Sequence, residues 1–368
     1  MVLIPLCKLG PLERSNFVLE IFSVIIPKIN DYVEFDIRLS EDLVSLAVFL
    51  YDVYNQDRLL INKKDSLDGR LQNLFKVCIH GITSPLSSVS LRSDFYVLAN
   101  QYLVRVLNDN TISGDILQSL RVQSERFVEA ICNDAIYGES TSRITAILLL
   151  DSLVQIANSN RENIILDALV KNTQLHLIIR TLKNVDRLIN SKKDTVSIDN
   201  LLYEITAFKA ITYFLVHIAE TRNGAQCLIQ NKVLQVIGNI TFLRSDPDLG
   251  LTVFAEDKLT QKAGLVEITL DEKKLSGNSN NNLSLKELII PIFKLLTAVL
   301  ISAGNQNHEV IKSVKGLLVS IRKLLICIFK YDTLEEKEGL NKAHSSNELV
   351  KLTVLLCSLT NYYGENIL

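Results

Sequence analysis

The stretch AETRNGAQCLIQNKVLQV, Ala219 to Val236, is the chain's strongest glycine-centred candidate for chemistry. A phosphate cradle would present backbone N–H groups and a helix N-terminus to an anion there. That arrangement needs several glycines and usually a preceding strand. Here a single glycine, Gly224, follows a helical stripe of Leu201, Ile205, Phe208, Thr212, Leu215 and Ala219. Apolar contact resumes at Ala225, Leu228, Val233, Val236 and Ile237. The pattern predicts a corner between two helices, with Asn223-Gly224 as a helix stop and the glycine at positive φ.

Other reactive side chains are scattered. The five histidines are His80, His176, His217, His308 and His344, with no HExxH pattern, and only His344 has a ligand-type residue at i+4, Glu348. His217 shares its helix with Phe214 and Ile218, which predicts a partly buried imidazole rather than a metal ligand. The six cysteines, Cys7, Cys78, Cys132, Cys227, Cys327 and Cys357, are far apart, and most lie in apolar runs such as LLICIF and VLLCSL. They predict buried thiols in a reducing compartment. There is no GxSxG, no Cys/His nucleophile signature and no carboxylate pair in a defined context. Glu335, Glu336 and Glu338 in TLEEKEGL predict a solvated turn. The sequence therefore predicts no catalytic residue, no cofactor, no metal site and no small-molecule substrate.

One charged feature stands out. In HEVIKSVKGLLVSIRKLLICIFK an apolar stripe of Ile311, Val314, Leu318, Ile321, Leu325 and Ile328 faces a core. Lys312, Lys315, Arg322, Lys323 and Lys330 gather on another side by the 100° step of a helix, and no acid follows Glu309. The strip is either a solvated outer face or a docking strip for an acidic partner segment, a membrane-proximal surface or RNA.

The elements that must carry these residues are helices almost throughout. In the last segment Leu349, Leu352, Leu356, Leu359 and Tyr363 fall at i, i+3, i+7, i+10 and i+14, one apolar face. Ser345 with Glu348, and Ser284 with Glu287, have capping-box spacing, and Ser40 precedes two acids as an N-cap. Pro291 predicts a kink or restart. Helices are expected near 12–28, 40–55, 67–82, 88–107, 113–136, 140–158, 161–170, 173–189, 198–222, 225–231, 285–303, 308–331 and 346–363. Helical pairs at roughly 40-residue spacing predict an all-α, irregular α-solenoid of HEAT/armadillo-like pairs running through 1–368 as one domain. Two stretches interrupt it. LINSKKDTVSIDN, 188–200, is a polar connector. From 247 to 283 the helical period fails, and LGLTVFAED and AGLVEITLDE alternate weakly, which predicts a flexible or hairpin insert with SGNSNNN as its tip.

Composition bounds the function. Hydrophobic residues make up 48% of the 368, and mean hydropathy is +0.21. No run of 18 uncharged apolar residues occurs, so no membrane span is expected. MVLIPLCKLG lacks the charged leader of a secretory signal. A net charge of −2 argues against bulk electrostatic binding of nucleic acid.

ITAFKAITYFLVHIAETRNGAQCLIQNKVLQVIGNITFLRSDPDLG (Ile205 to Gly250), with its ETRNGAQCLIQNKVLQ and FLRSDPDL, resembles the large α-helical scaffold nucleoporins of the nuclear pore inner ring. LIIPIFKLLTAVLISAGNQNHEVIKSVKGLLVSIRKLLICIFK (Leu288 to Lys330), with a GNQN joint, is similar to a following segment of those proteins. The first half matches only in its helical character. The resemblance implies a piece from the C-terminal half of a longer scaffold protein, located at the nuclear pore complex in the nuclear envelope. It also implies docking of linker nucleoporin motifs and inner-ring subunits, in support of protein and RNA transport. The alternative is a soluble HEAT/armadillo-type transport receptor or cargo adaptor. The absence of tryptophan and of a strong acidic block lowers that alternative.

Overall fold

The computed structural model describes residues 9–61, 69–107, 110–121, 123–189, 198–244, 251–254, 260–263, 286–304, 307–329 and 343–362. Among them every long element is a helix, and the chain divides into two compact units, Met1–Gln174 and Leu175–Leu368.

In the first unit α1 (Pro11–Phe35) pairs with α2 (Ile37–Ile61), α3 (Leu74–Thr83) with α4 (Val89–Val106), and α6 (Ser124–Tyr137) with α7 (Ser140–Ser159). The first members stack as α1, α3, α6 and then α8 (Ile164–Lys171), and the second members stack as α2, α4, α7. This is the two-layer order of a helical-pair solenoid. α5 (Asn110–Leu120) lies against α7 and α4. Between the layers Phe22, Val44, Leu50, Tyr51, Phe95, Leu103, Phe127 and Ile147 are fully buried.

Polar links fix the stacking register. Arg14 on α1 grips Asp57 on α2 through Nε at 2.7 Å and Nη2. Between α2 and α4, Ser45 donates to Asp94 and Arg105 to Asn55, at sequence separations of 49 and 50. Between α4 and α7, Ser93 pairs with Thr145 and Ser152 donates to Asn100, both at a separation of 52. The structural repeat is therefore nearer 50 residues than the 40 expected, and the stacked helices run parallel.

The second unit contains α9 (Gln174–Thr181), α10 (Lys183–Ile189), α11 (Ile198–Ala219), α12 (Arg222–Gln230) and α13 (Val233–Gly238). It continues with α14 (Lys286–Ala303), α15 (His308–Ser320), α16 (322–329) and α17 (Ala343–Leu359). α11, α14 and α17 stack in order, with α12 on α11 and α14, and α15 on α14 and α17. Lys294 ties this layer together: its ammonium reaches Glu348 on α17 at 2.7 Å and lies 5.4 Å from the Tyr213 ring of α11. Asp186 on α10 accepts from Thr241 N, Thr241 Oγ1 and Phe242 N at 2.8–3.0 Å, holding the 3-10 turn Phe242–Arg244. Residues Asn200–Ala219 of α11 are long and apolar enough to cross a membrane by composition. Half of that span is packed inside the unit, as a core helix would be.

The structure corrects several local expectations. α1 passes through Pro27 and continues to Phe35, because Ile29 and Val33 beyond it are fully buried. α14 likewise runs through Pro291 as one helix. Asp36, not Ser40, caps α2: its Oδ1 accepts from Leu39 N at 3.1 Å, while Ser40 is buried inside the helix. α17 starts at Ala343, so Ser345 is not its cap, and Glu348 pairs with Lys294 instead. The helices expected over 113–136, 173–189 and 308–331 are each broken, near 121–123, at Leu182 and at Ile321. Within 251–263 two short strands pair antiparallel, β1 (Leu251–Phe254) with β2 (Thr260–Ala263), the second ending on the first residue of the AGLVEITLDE stretch. Residues 190–197 of the connector, the SGNSNNN tip, Ser284, Cys7 and TLEEKEGL lie outside the described residues.

Burial also sets a pH limit. The Tyr51 and Tyr96 phenols are pushed far above their ordinary value of 10 by burial, with Asp134 adding to the shift at Tyr96, and burial raises Tyr102 to about 12. The folded state thus holds these protons more tightly than the unfolded chain. Their stabilisation is complete below pH 10 and falls as pH rises through 10 towards 12 and beyond. In an ultraviolet titration these phenols should ionise together with a loss of helical circular dichroism. Smooth ionisation of all eleven tyrosines near pH 10 with helicity retained would contradict this.

Candidate functional site

The Gly224 corner is a joint between helices, but not by the expected means. Thr221 is the N-cap of α12, and its Oγ1 accepts from Gly224 N at 3.1 Å. Gly224 lies inside the helix and is not at positive φ; among the described glycines only Gly304 is. Glycine is required because the end of α11 crosses close by. A Cβ at 224 would overlap the Ile218 carbonyl oxygen and stand 2.8 Å from its carbon. Gly224 N and Ala225 N both already donate to Thr221, so these first-turn amides have no anion to hold. A cleft of about 420 Å³ beside the corner is lined by Arg222, Gln226, Ile229, Gln230, Ala303 and Asn307, with no general acid or nucleophile among them. The GNQN joint is where the positive φ falls: Gly304 sits at +78°, and Asn307 caps α15 by accepting from Val310 N.

The histidines are dispersed. His80 meets Glu34 at 3.1 Å and His176 meets the Asn231 carbonyl at 3.4 Å. Burial raises the Cys78 and Cys132 thiols far above the usual range, and Cys357 less so, which removes them as thiolate nucleophiles at neutral pH. Among the described residues no three His, Cys, Asp or Glu side chains converge as a metal site.

The basic strip is split. Lys312 and Lys315 are exposed on α15, and Arg322 and Lys323 are exposed on α16 beyond the turn at Ile321. A single continuous helix face, as expected, is therefore not formed. Lys315 also donates to the Asn361 carbonyl at 3.2 Å. Lys330 lies outside the described residues.

A second surface was not anticipated. It is the outer face of the α2–α4–α7 layer. Ser45 is linked to Asp94 and Ser93 to Thr145, and Phe49, Val97 and Leu148 each stand about one turn beyond these links on their own helices. One turn earlier stand Ser45, Asp94 and Thr145, and one turn later Asp52, Gln101 and Asp151. Phe49 is 44% and Leu148 40% exposed, and Val104 a further turn along α4 is 51% exposed. Its signal in the sequence is an absence: residues 39–57, 93–104 and 144–159 contain no lysine or arginine.

Comparison with known proteins gives two findings. The family profile described as nuclear pore complex scaffold, nucleoporins 186/192/205, matches residues 1–360, so the likeness covers the first half as well as the second. Nucleoporin NUP192 of Chaetomium thermophilum is 20% identical over 283 residues, covering 64% of this chain and 16% of that protein. The chain thus spans about a sixth of the length of that relative.

Proposed function

The chain belongs to the family of nuclear pore complex scaffold nucleoporins 186/192/205, and from that premise we propose that it is a non-enzymatic segment of the pore's inner ring, docking flexible linker segments of neighbouring nucleoporins. The family match over residues 1–360 carries the reading and favours a scaffold over a soluble transport receptor. The physical arrangement agrees with it. Stacked helical pairs bury a continuous core and leave outward faces and inter-helix grooves on which an extended or helical partner can lie. In this reading Lys312, Lys315, Arg322 and Lys323 form a docking strip for an acidic partner segment.

The test is localisation of the full-length protein carrying a fluorescent tag at its own locus. A stable nuclear rim is expected, with slow recovery after photobleaching. Diffuse nucleoplasmic signal with rapid recovery would favour the receptor. Reversing the four strip residues to glutamate should leave the rim intact and remove at least one co-purifying partner. An unchanged partner set would reduce the strip to a solvated face.

A further inference from the structure

We propose that the outer face of the α2–α4–α7 layer is a docking surface for a basic amphipathic helix laid across the three helices. This names the partner chemistry for the docking role above and rests on that reading.

Three observations carry it. Apolar side chains recur at about one level on three successive helices, Phe49 and Leu148 exposed and Val97 half-buried, and exposed Val104 lies two turns beyond Val97 on α4. Single exposed apolar residues need no explanation, but a row crossing three elements is a patch. The row is bracketed by acids on both sides, with Asp42 and Asp94 before it and Asp52 and Asp151 after it. Two of them accept from neutral donors, Asp94 from Ser45 and Asp52 from Gln56. Finally, the layer carries no lysine or arginine over the residues that build the face. Arg58 and Arg105 mark its end, where both guanidinium groups lie over the Tyr54 ring. Arg92 is turned away to Asp134 on α6.

The geometry sets the length of the partner. Packed helices stand about 8–10 Å apart, so a rod crossing three of them meets apolar anchors roughly every 9 Å over about 18 Å. At about 1.5 Å per residue, anchors on one face near i, i+7 and i+14 stand about 10 Å apart, so the partner is an α-helix of at least about 15 residues. Its flanks must be Lys or Arg to face the two acidic rows. An acidic helix of the same apolar pattern would be repelled, so charge supplies specificity while the row supplies contact.

The probe is a fluorescein-labelled peptide with leucines on one face at seven-residue spacing, lysine on its flanks and alanine elsewhere, titrated with the full chain. A twin carries glutamate for lysine. The lysine peptide should bind at least tenfold tighter than its twin and weaken as salt rises. The triple variant Asp52→Asn, Asp94→Asn, Asp151→Asn should lose at least tenfold in affinity at unchanged melting temperature, since the amide oxygens still accept the same hydrogen bonds. Phe49→Ser should lose a similar factor. Equal binding of the two peptides, or unaltered affinity in the triple variant, would overturn the proposal. So would dimers of the free chain that vanish in the triple variant, since the face would then belong to a second copy. The scaffold reading is judged separately, by rim localisation, which the triple variant should retain.

Discussion

Replacing Asp134 with alanine should cost the first unit roughly 2–4 kcal/mol, on the scale seen when one partner of a buried ion pair is removed. Asp134 is only 8% exposed. It accepts from Arg92 Nε at 2.8 Å, from Arg92 Nη2 at 3.0 Å and from the Tyr96 hydroxyl at 2.7 Å. This cluster joins α4 to α6, one layer to the other, and Arg92 also holds the Ser87 carbonyl before α4. Without the carboxylate, Arg92 Nε and Nη2 and the Tyr96 phenol stay largely covered with no acceptor, which costs more than the pair contributes when made. Arg92 retains some solvent, its side chain being 22% exposed, which keeps the expected loss below the top of the range for fully buried pairs. For a unit of this size the melting temperature should fall by about 5–12 °C. Asp134→Asn, which keeps an acceptor, should lose less. Arg92→Met combined with Asp134→Leu should recover much of the single-variant loss, because no orphaned charge remains. If Asp134→Ala melts within a degree of the parent, the cross-layer link is not structural.

The second large effect has the opposite sign to the one propensity suggests. Gly224 lies inside α12, where alanine is intrinsically better by about 1 kcal/mol. The structure nevertheless predicts that Gly224→Ala destabilises by about 1–3 kcal/mol net. The added methyl would overlap the Ile218 carbonyl oxygen and press on Thr221 Oγ1 at 2.9 Å. Backbone cannot rotate aside as a side chain can, so α11 and α12 must separate and the Thr221 cap must loosen. Gly316 is the internal control. It also lies within a helix, α15, but a Cβ there meets nothing within 4 Å. Gly316→Ala should therefore stabilise by up to about 1 kcal/mol. Chemical denaturation of both variants decides: shifts of the same sign would mean that the corner is looser than described.

The helical character was legible because burial imposes its period on the residues. Val18, Phe22, Ile25 and Ile29 fall at turn spacing and all line the core. Breaks were harder to see. The turn at Ile321 has no glycine or proline at it, and its amide bonds both the Leu317 and Leu318 carbonyls. Conversely Pro27 and Pro291, which favour breaks locally, are overridden by the apolar faces on either side. The repeat register was invisible because each cross-link uses different chemistry: Ser with Asp, Arg with Asn, Ser with Thr, Ser with Asn. No shared motif recurs for the eye to align. The basic strip drew notice because like charges cluster in sequence. The acidic, apolar face did not, because its members come from three helices about 50 residues apart.

The central claim is that this chain holds other pore proteins on the faces of a stacked helical array. The most direct measurement is zero-length carboxyl-to-amine crosslinking of intact nuclear pores, read by mass spectrometry. The account predicts crosslinks from Asp52, Asp94 or Asp151 to lysines of other pore subunits, clustered within one short helical segment of a partner. Crosslinks from these residues only to soluble cargo, or only within the chain itself, would contradict it.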